Sequence, residues 1–259
     1  MPIQISAVII THNEERNIAR CLESLWGIAD EIVVVDSFST DKTPQICMEY
    51  RVRFYQRAFD GYSSQKNYGN SLASHSFILS LDADEALTEC LKKELLKVKE
   101  QGDQDGYQMR RMANYCGKWI RHGAWYPDAK LRVFNKEKGT WSDNLVHEEV
   151  IMAAGSRVGR LKGHLLHYSY YSIDEHISQS NRYSTLAATE LHQNGASFSF
   201  LKMLVKPCFR FIRDYVFRLG FLDGMSGFII ARITAQSVML KYAKLRLLKK
   251  GAVPVTQNP

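Results

Sequence analysis

Asp82 and Asp84, separated by Ala83 and followed at once by Glu85, stand at the end of the apolar run Phe77-Ile78-Leu79-Ser80-Leu81. Side chains alternate faces along a strand, so carboxylates two residues apart at a strand end aim the same way. Two hard oxygen ligands converging there suit Mg²⁺ or Mn²⁺, and such a cation suits a diphosphate. Taken alone, the pair fits a solvated acidic turn better than a metal site. Its neighbours separate the two readings.

The elements that must position this pair are legible upstream. Ile5-Ser6-Ala7-Val8-Ile9-Ile10 is a short apolar run ending in Thr11-His12-Asn13-Glu14-Glu15, with Ile18, Leu22 and Leu25 following at helical spacing. A second run, Glu31 to Val35, ends in Asp36-Ser37-Phe38-Ser39-Thr40-Asp41-Lys42-Thr43 and precedes an amphipathic stretch from Pro44 to Tyr50. A third, Val52 to Tyr55, precedes a polar helix-like segment around Gln65 to Ala73, and the fourth carries the carboxylates. Strand and helix alternating in this way predict right-handed βαβ units and a mostly parallel sheet flanked by helices, an α/β fold of Rossmann type. Ligands of such sheets bind beyond the carboxyl ends of the strands, where Thr11, Asp36 and Asp82 all fall.

The segments Ala7 to Glu14, Val35 to Thr43 and Leu81 to Glu85 together resemble the three N-terminal signatures of inverting family 2 glycosyltransferases with the GT-A fold. The resemblance covers residues 3 to 170 well and the rest more loosely. Within the family, Gln65-Lys66-Asn67, the Asp84-Glu85 pair and a C-terminal Gly220-Phe221-Leu222-Asp223-Gly224 are similar to enzymes that add glucose to the heptose of a bacterial lipopolysaccharide core. Phe38 departs from the pattern, since glycine is common there. The likeness implies a nucleotide-sugar donor, UDP-linked, and a glycan or glycolipid acceptor. It also implies a nucleotide-binding half over residues 1–100, an acceptor-binding half over 101–170 and a helical extension over 171–259.

The same resemblance assigns roles. Asp36 would hold the base or ribose, with Thr11 and Glu14 near the nucleotide. Asp82 and Asp84 would hold the metal on the diphosphate, and Asp82 thereby belongs to the donor site as well. Lys66 would touch a phosphate, although a lysine on a polar helix is ordinarily solvated, and Arg132 would face the diphosphate or the acceptor. His147-Glu148 lies where the family carries its base motif, so Glu148 would take the acceptor proton during a single inverting displacement. Glu149 is the rival for that role. A histidine that completes the metal shell matches His167, for which an ordinary core histidine is an equal alternative, whereas His164 reads as an ordinary core residue. Between these segments, Tyr115, Trp119, His122, Trp125 and Tyr126 form an aromatic stretch suited to sugar faces or to plain packing.

Composition narrows the classes further. Residues 201–250 hold 11 Lys+Arg and 2 Asp+Glu, a net of +9; the whole chain is +7, so the remainder nets −2. A nucleic-acid binder would join that charge to a recognition motif, and none is present. Here the charges interleave with Phe200, Leu201, Met203, Leu204, Phe209 and Phe217, the composition of a helix at an anionic membrane surface; the other reading is a helical pair packed on the catalytic domain with a solvated basic face. Leu219 to Leu240 is broken by Asp223 and Arg232 and makes a poor spanning helix. Five cysteines without a C-x-x-C pair argue for a reducing compartment and against a zinc site. No signal peptide is read at the N-terminus, so the expected location is cytoplasmic, at the inner face of the membrane.

Three other classes are weighed. A nucleotidyltransferase would need a glycine-rich basic loop after the first strand, and a D-x-D-x-T/V phosphatase would need Thr or Val at Ala86. A non-catalytic, membrane-associated sugar-nucleotide-binding protein is the alternative that the motifs leave open.

Overall fold

The computed structural model describes residues 2–142 and 148–251. The chain divides into two units, residues 1–112 with 128–168 and residues 113–127 with 169–259.

The first unit opens with the alternation read from the sequence. Strands β1 (Ile5–Thr11), β2 (Glu31–Asp36), β3 (Arg53–Gln56) and β4 (Phe77–Asp82) are separated by helices α1 (Ile18–Ser24), α2 (Thr43–Glu49) and α3 (Tyr62–Leu72). β1 pairs in parallel with β2 and β4, and β2 with β3. All seven residues of β1 are buried, as a strand covered on both faces must be. The register sets Thr11 opposite Asp36, and Ile10 opposite Asp82, so the three polar termini end on one edge.

Beyond β4 the chain changes style. β5 (Glu85–Leu87) and α4 (Glu89–Gln101) lead to β6 (Gly106–Tyr115), which pairs with the two-residue β7 (Lys118–Trp119). β8 (Asp128–Asn135) runs antiparallel to both β4 and β6. β9 (Gly139–Trp141) and β10 (Val150–Met152) form a separate antiparallel pair, and the long β11 (Val158–Tyr170) pairs antiparallel with β5. Among the described residues the sheet order is β3-β2-β1-β4-β8-β6-β11-β5. The helix-flanked, GT-A-like sheet that the sequence predicts is present, parallel over β1 to β4 as expected and antiparallel where β8, β6 and β5 with β11 extend it. Ile5, Ile9, Leu22, Leu79, Leu91 and Leu165 lie in its main core.

One glycine is required for the site to form. A Cβ at Gly69 of α3 would lie 2.5 Å from Val8 Cγ1, so only glycine lets this helix close on β1. That close approach explains why a helix with few apolar residues packs at all: it buries Ser63, Gln65, Lys66 and Asn70 instead.

The second unit is mainly helical. α5 (Ile173–Gln193) begins with a full capping box between Ser172 and Glu175. α6 (Phe200–Ile212), capped by Ser199, runs through a π-helical turn at Arg213–Phe217 and a 3-10 turn at Gly220–Asp223 into α7 (Gly224–Lys249). Tyr115, Ile120 and Ile230 form one small core, joined by Trp125 and Tyr170; Ala188, Tyr242 and Leu245 form another. Tyr115 and Trp125, two members of the aromatic stretch, are thus packing residues, their ring centroids 5.6 Å apart. The Gly-Phe-Leu-Asp-Gly segment is a clamp: buried Asp223 accepts the backbone N–H groups of Arg121 and His122 at 3.1 and 2.8 Å. A Cβ at Gly227 would come within 1.9 Å of the Gly220 carbonyl, so this turn packs backbone on backbone. Among the described residues no helix is long and apolar enough to cross a membrane.

Candidate active site

The candidate residues are brought together within the first unit by one turn of α3. Gln65 donates to Ser37 Oγ at 2.9 Å and to the Arg57 carbonyl at 3.1 Å, reaching the loop after β2. Lys66, 3% exposed, places its Nζ 3.0 Å from Asp82 Oδ1 and 3.7 Å from Glu148 Oε2, with the Trp141 ring centroid 4.3 Å away. Asn67 donates to the Trp141 carbonyl at 3.1 Å and accepts its N–H at 3.0 Å. Three consecutive polar residues therefore join the turn after β2, the D-x-D segment and the β9 strand that precedes Glu148. Periodicity alone predicts a solvated lysine here; helix packing buries it.

Asp82 and Asp84 do not act as a pair of parallel side chains. β4 ends at Asp82, residues 83–84 form a turn, and β5 begins at Glu85. Strand alternation ceases at that turn, so the two carboxylates take different partners. Asp82 Oδ1 faces Lys66, and Oδ2 accepts from Arg132 Nη2 at 2.8 Å. Burial alone would raise its pKa, but Lys66 and Arg132 outweigh that and hold it far below the usual carboxylate range. Asp84 Oδ2 instead lies 3.0 Å from His167 Nε2. The Asp84 carbonyl accepts the Tyr168 N–H at 2.9 Å, and His167 sits opposite Glu85 in the β5–β11 register, which fixes that meeting. Burial lowers the His167 pKa, yet the Asp84 carboxylate reverses this and leaves it raised. His164, three residues earlier on the same strand, belongs to the opposite face.

The donor set of Asp84 and His167 fits a divalent cation. In an octahedral shell with bonds of about 2.1 Å, neighbouring ligand atoms lie about 3 Å apart, the spacing this oxygen and nitrogen already have. No group of three or more His, Cys, Asp or Glu side chains suited to a metal occurs among the described residues. A cation here would draw its remaining ligands from phosphate oxygens and water, as Mg²⁺ commonly does.

Glu14 lies on the same side. Burial pushes its pKa up to about 7, against a hydrogen bond from Asn17 and with the Asp84 and Asp41 charges adding to the rise. Asp36 is fully buried and sealed by its own loop: Ser39 N and Gln56 Nε2 donate to Oδ2, each at 3.0 Å, and Ser39 Oγ donates to Oδ1. Its direct work in the structure is to shape the turn in which Phe38 takes a φ of 58°, the left-handed conformation that glycine favours. Thr11 Oγ1 is buried with no partner among the described residues.

Glu148 is half-buried beside Lys66. Burial raises its pKa above the ordinary carboxylate value, Lys66 opposes the rise, and the Asp82 charge adds to it. Glu149 is exposed, and its backbone pairs with Ser142. His147, with residues 143–146, lies outside the described residues.

Three contributors escape sequence reasoning. Glu85, 1% exposed, accepts from Arg132 Nη2 at 2.7 Å, Arg111 Nη1 at 3.4 Å and the Asp82 N–H at 3.1 Å. Arg111 also bonds Asp128, with Nη2 to Oδ2 at 2.8 Å. Trp141 supplies the ring beside Lys66. Adjacency to the D-x-D pair is the one signal that points to Glu85; Arg111 and Trp141 carry none.

Comparison with known proteins then identifies relatives. The family model described as "Glycosyl transferase family 2" matches residues 6–160. An uncharacterized glycosyltransferase of Rickettsia typhi is 30% identical over 95% of this chain and 87% of its own length. The lipopolysaccharide core biosynthesis glycosyltransferase LpsC of Rhizobium meliloti is 31% identical over 93% of this chain and 94% of its own length. Among solved structures, S. aureus TarS 1-349 in complex with UDP-GlcNAc aligns over 96% of this chain and 92% of that chain, at 15% identity and a TM-score of 0.47. That likeness is too slight to carry function across.

Proposed function

The chain belongs to glycosyl transferase family 2, and from that premise we propose that it moves glucose from a UDP-sugar, with inversion, onto a hydroxyl of a cell-envelope glycan or glycolipid such as the lipopolysaccharide core. LpsC, matched along nearly its whole length, is the relative whose described role supports the acceptor class. The observation that supports the reading is Lys66 joining Asp82 to Glu148, because it sets the D-x-D segment beside a carboxylate of raised pKa.

Glu148 is the base: it takes the proton of the acceptor hydroxyl as that oxygen attacks the anomeric carbon, and the bond to the nucleoside diphosphate breaks on the opposite face. The Lys66 ammonium beside Glu148 opposes the rise that burial imposes on its pKa and so favours the carboxylate form that a base needs. Asp36 and Gln65 shape the loop against the nucleotide, with Thr11 opposite Asp36 at the neighbouring strand end. Asp84 and His167 would hold a Mg²⁺ or Mn²⁺ ion; Asp82, already engaged by two cations, orders Lys66 and Arg132 toward the phosphates. The bound ion supplies neutralisation of the charge that gathers on the leaving diphosphate. The enzyme works at the cytoplasmic face of the membrane that presents its acceptor.

The test is transfer from a panel of UDP-sugars to purified core oligosaccharide, with and without Mn²⁺, using Glu148→Gln as the blank. Product in the α configuration from an α-linked donor would overturn inversion. Equal transfer by Glu148→Gln and the unaltered protein would remove Glu148 as base.

A further inference from the structure

Nearly half of the exposed large apolar side chains among the described residues fall between positions 200 and 228. None of the thirteen residues of α6 is buried. Exposed Leu201, Leu204, Val205 and Ile212 recur at the helical spacing of one face of that helix, and Phe217, Leu222 and Met225 continue the exposure through the turns that follow. Leu201, Phe217 and Met225 are 70, 73 and 72% exposed. Monomeric soluble surfaces rarely leave so much apolar area contiguous.

The basic residues of this segment are less free than their number suggests. Arg210 and Arg213 both donate from Nε to buried Asp214, and Arg218 Nη1 lies 4.0 Å from the same carboxylate. Lys206 donates to the Tyr242 hydroxyl at 2.8 Å. Beyond the segment, on α7, Lys244 likewise donates to the Asn181 carbonyl, Ser184 Oγ and Thr185 Oγ1 at 2.7–2.8 Å. Three guanidiniums around one carboxylate still leave an excess of positive charge on the flank of the apolar face. That is the charge complement of lipid phosphate.

We infer that residues 200–225 form a monotopic docking face that inserts its apolar side chains into an anionic bilayer, with the Asp214-bound arginines at the level of the lipid phosphates. The inference rests on the proposed membrane acceptor for its purpose and deepens it by naming the surface. A second copy of the chain is a poor occupant, because a two-fold contact would set this positive flank against itself. Among the described residues no helix is long and apolar enough to span, whereas lying in the interface suits an amphipathic helix with a basic flank.

Insertion and simple electrostatic adsorption differ in their salt dependence, since screening weakens only the latter. The intact protein is sedimented with phosphatidylcholine vesicles containing phosphatidylglycerol, at about 0.1 and about 1 M salt. Binding persists in part at the higher salt. Leu204→Glu and Phe217→Glu each lower partitioning roughly tenfold or more at both salts, as loss of one inserted apolar side chain demands. Lys202→Gln, exposed on the basic flank, costs about fivefold at low salt only. Circular dichroism and melting verify that each variant is folded. Complete loss of binding at high salt with the Glu variants indistinguishable from the unaltered protein overturns the inference, as does absence of binding to any vesicle. A dimer by light scattering that the same substitutions dissociate also overturns it and assigns the face to self-association. No donor or acceptor is present in these assays, so failure of the transferase reading leaves their outcome untouched.

Discussion

Lys66 holds together groups that are far apart in the chain, and its removal has consequences of two kinds. Lys66→Met keeps the length of the side chain but leaves Asp82 with one cation, so stability should fall by about 1–3 kcal/mol in urea titration. Lys66 also lowers the pKa of Glu148, so its loss raises that pKa. A base acts only when ionised; the acid limb of the kcat/KM profile should therefore move to higher pH in Lys66→Met. Glu148→Gln should lose about 10²–10⁴-fold in kcat with donor affinity nearly intact, whereas exposed Glu149→Gln should stay within about twofold. Asp84→Asn should retain its fold and lose the response of nucleotide affinity to Mn²⁺, read by calorimetry with UDP. A full metal response in that variant would remove Asp84 from the metal shell.

At the scale of elements, backbone geometry makes sharper demands than side-chain polarity. Phe38 occupies a left-handed position at 54% exposure, and an L-residue there costs roughly 1–2 kcal/mol. Phe38→Gly should raise the melting temperature, the gain being reduced by the greater freedom of glycine in the unfolded chain. Gly69→Ala should act in the opposite direction. Its methyl would press into Val8 on the strand beneath, costing about 1–3 kcal/mol and shifting α3 with Gln65, Lys66 and Asn67 on it. Activity should fall more than stability in this variant, because the three contacts that α3 makes depend on its distance from β1.

For the whole molecule, the two units should respond to acid over different ranges. In the second unit, buried His176 touches the Tyr115 hydroxyl at 3.2 Å, and burial depresses its pKa from 6.5 to about 4. The unfolded chain then binds more protons, so the stability that depends on neutral His176 is complete above its unfolded pKa and declines as pH falls toward about 4. In the first unit, Glu31 accepts from Ser6, Ser74 and Arg53. Partial burial acts to raise its pKa, but these bonds outweigh it and hold it at about 2. Its contribution is intact above the ordinary 4.5 and is lost as pH falls toward about 2. Helical ellipticity of the second unit should therefore begin to melt at milder acidity, and His176→Phe should remove that early phase. Coincident acid transitions in both proteins would contradict the assignment.

Local pattern determined much of this. The runs ending at Thr11, Asp36 and Asp82 are strands within one residue of their reading, since continuous apolar stretches bounded by polar turns leave a buried parallel strand little alternative. The broken hydropathy of Leu219 to Leu240 agrees with the absence of a spanning helix among the described residues. Contacts between distant segments were decided by tertiary structure alone. Periodicity cannot show that Lys66 is buried, because the cause is a glycine three residues on meeting a valine from another strand. Nor can spacing show that Asp82 and Asp84 part company, because the turn between them is fixed by the pairing of β5 with β11. The +9 of residues 201–250 is a count of charges; only folding determines that three of those arginines share Asp214 and that the apolar side chains between them remain uncovered. Secondary structure follows from neighbours along the chain, whereas burial and ion pairing depend on groups that meet only once the chain has closed on itself.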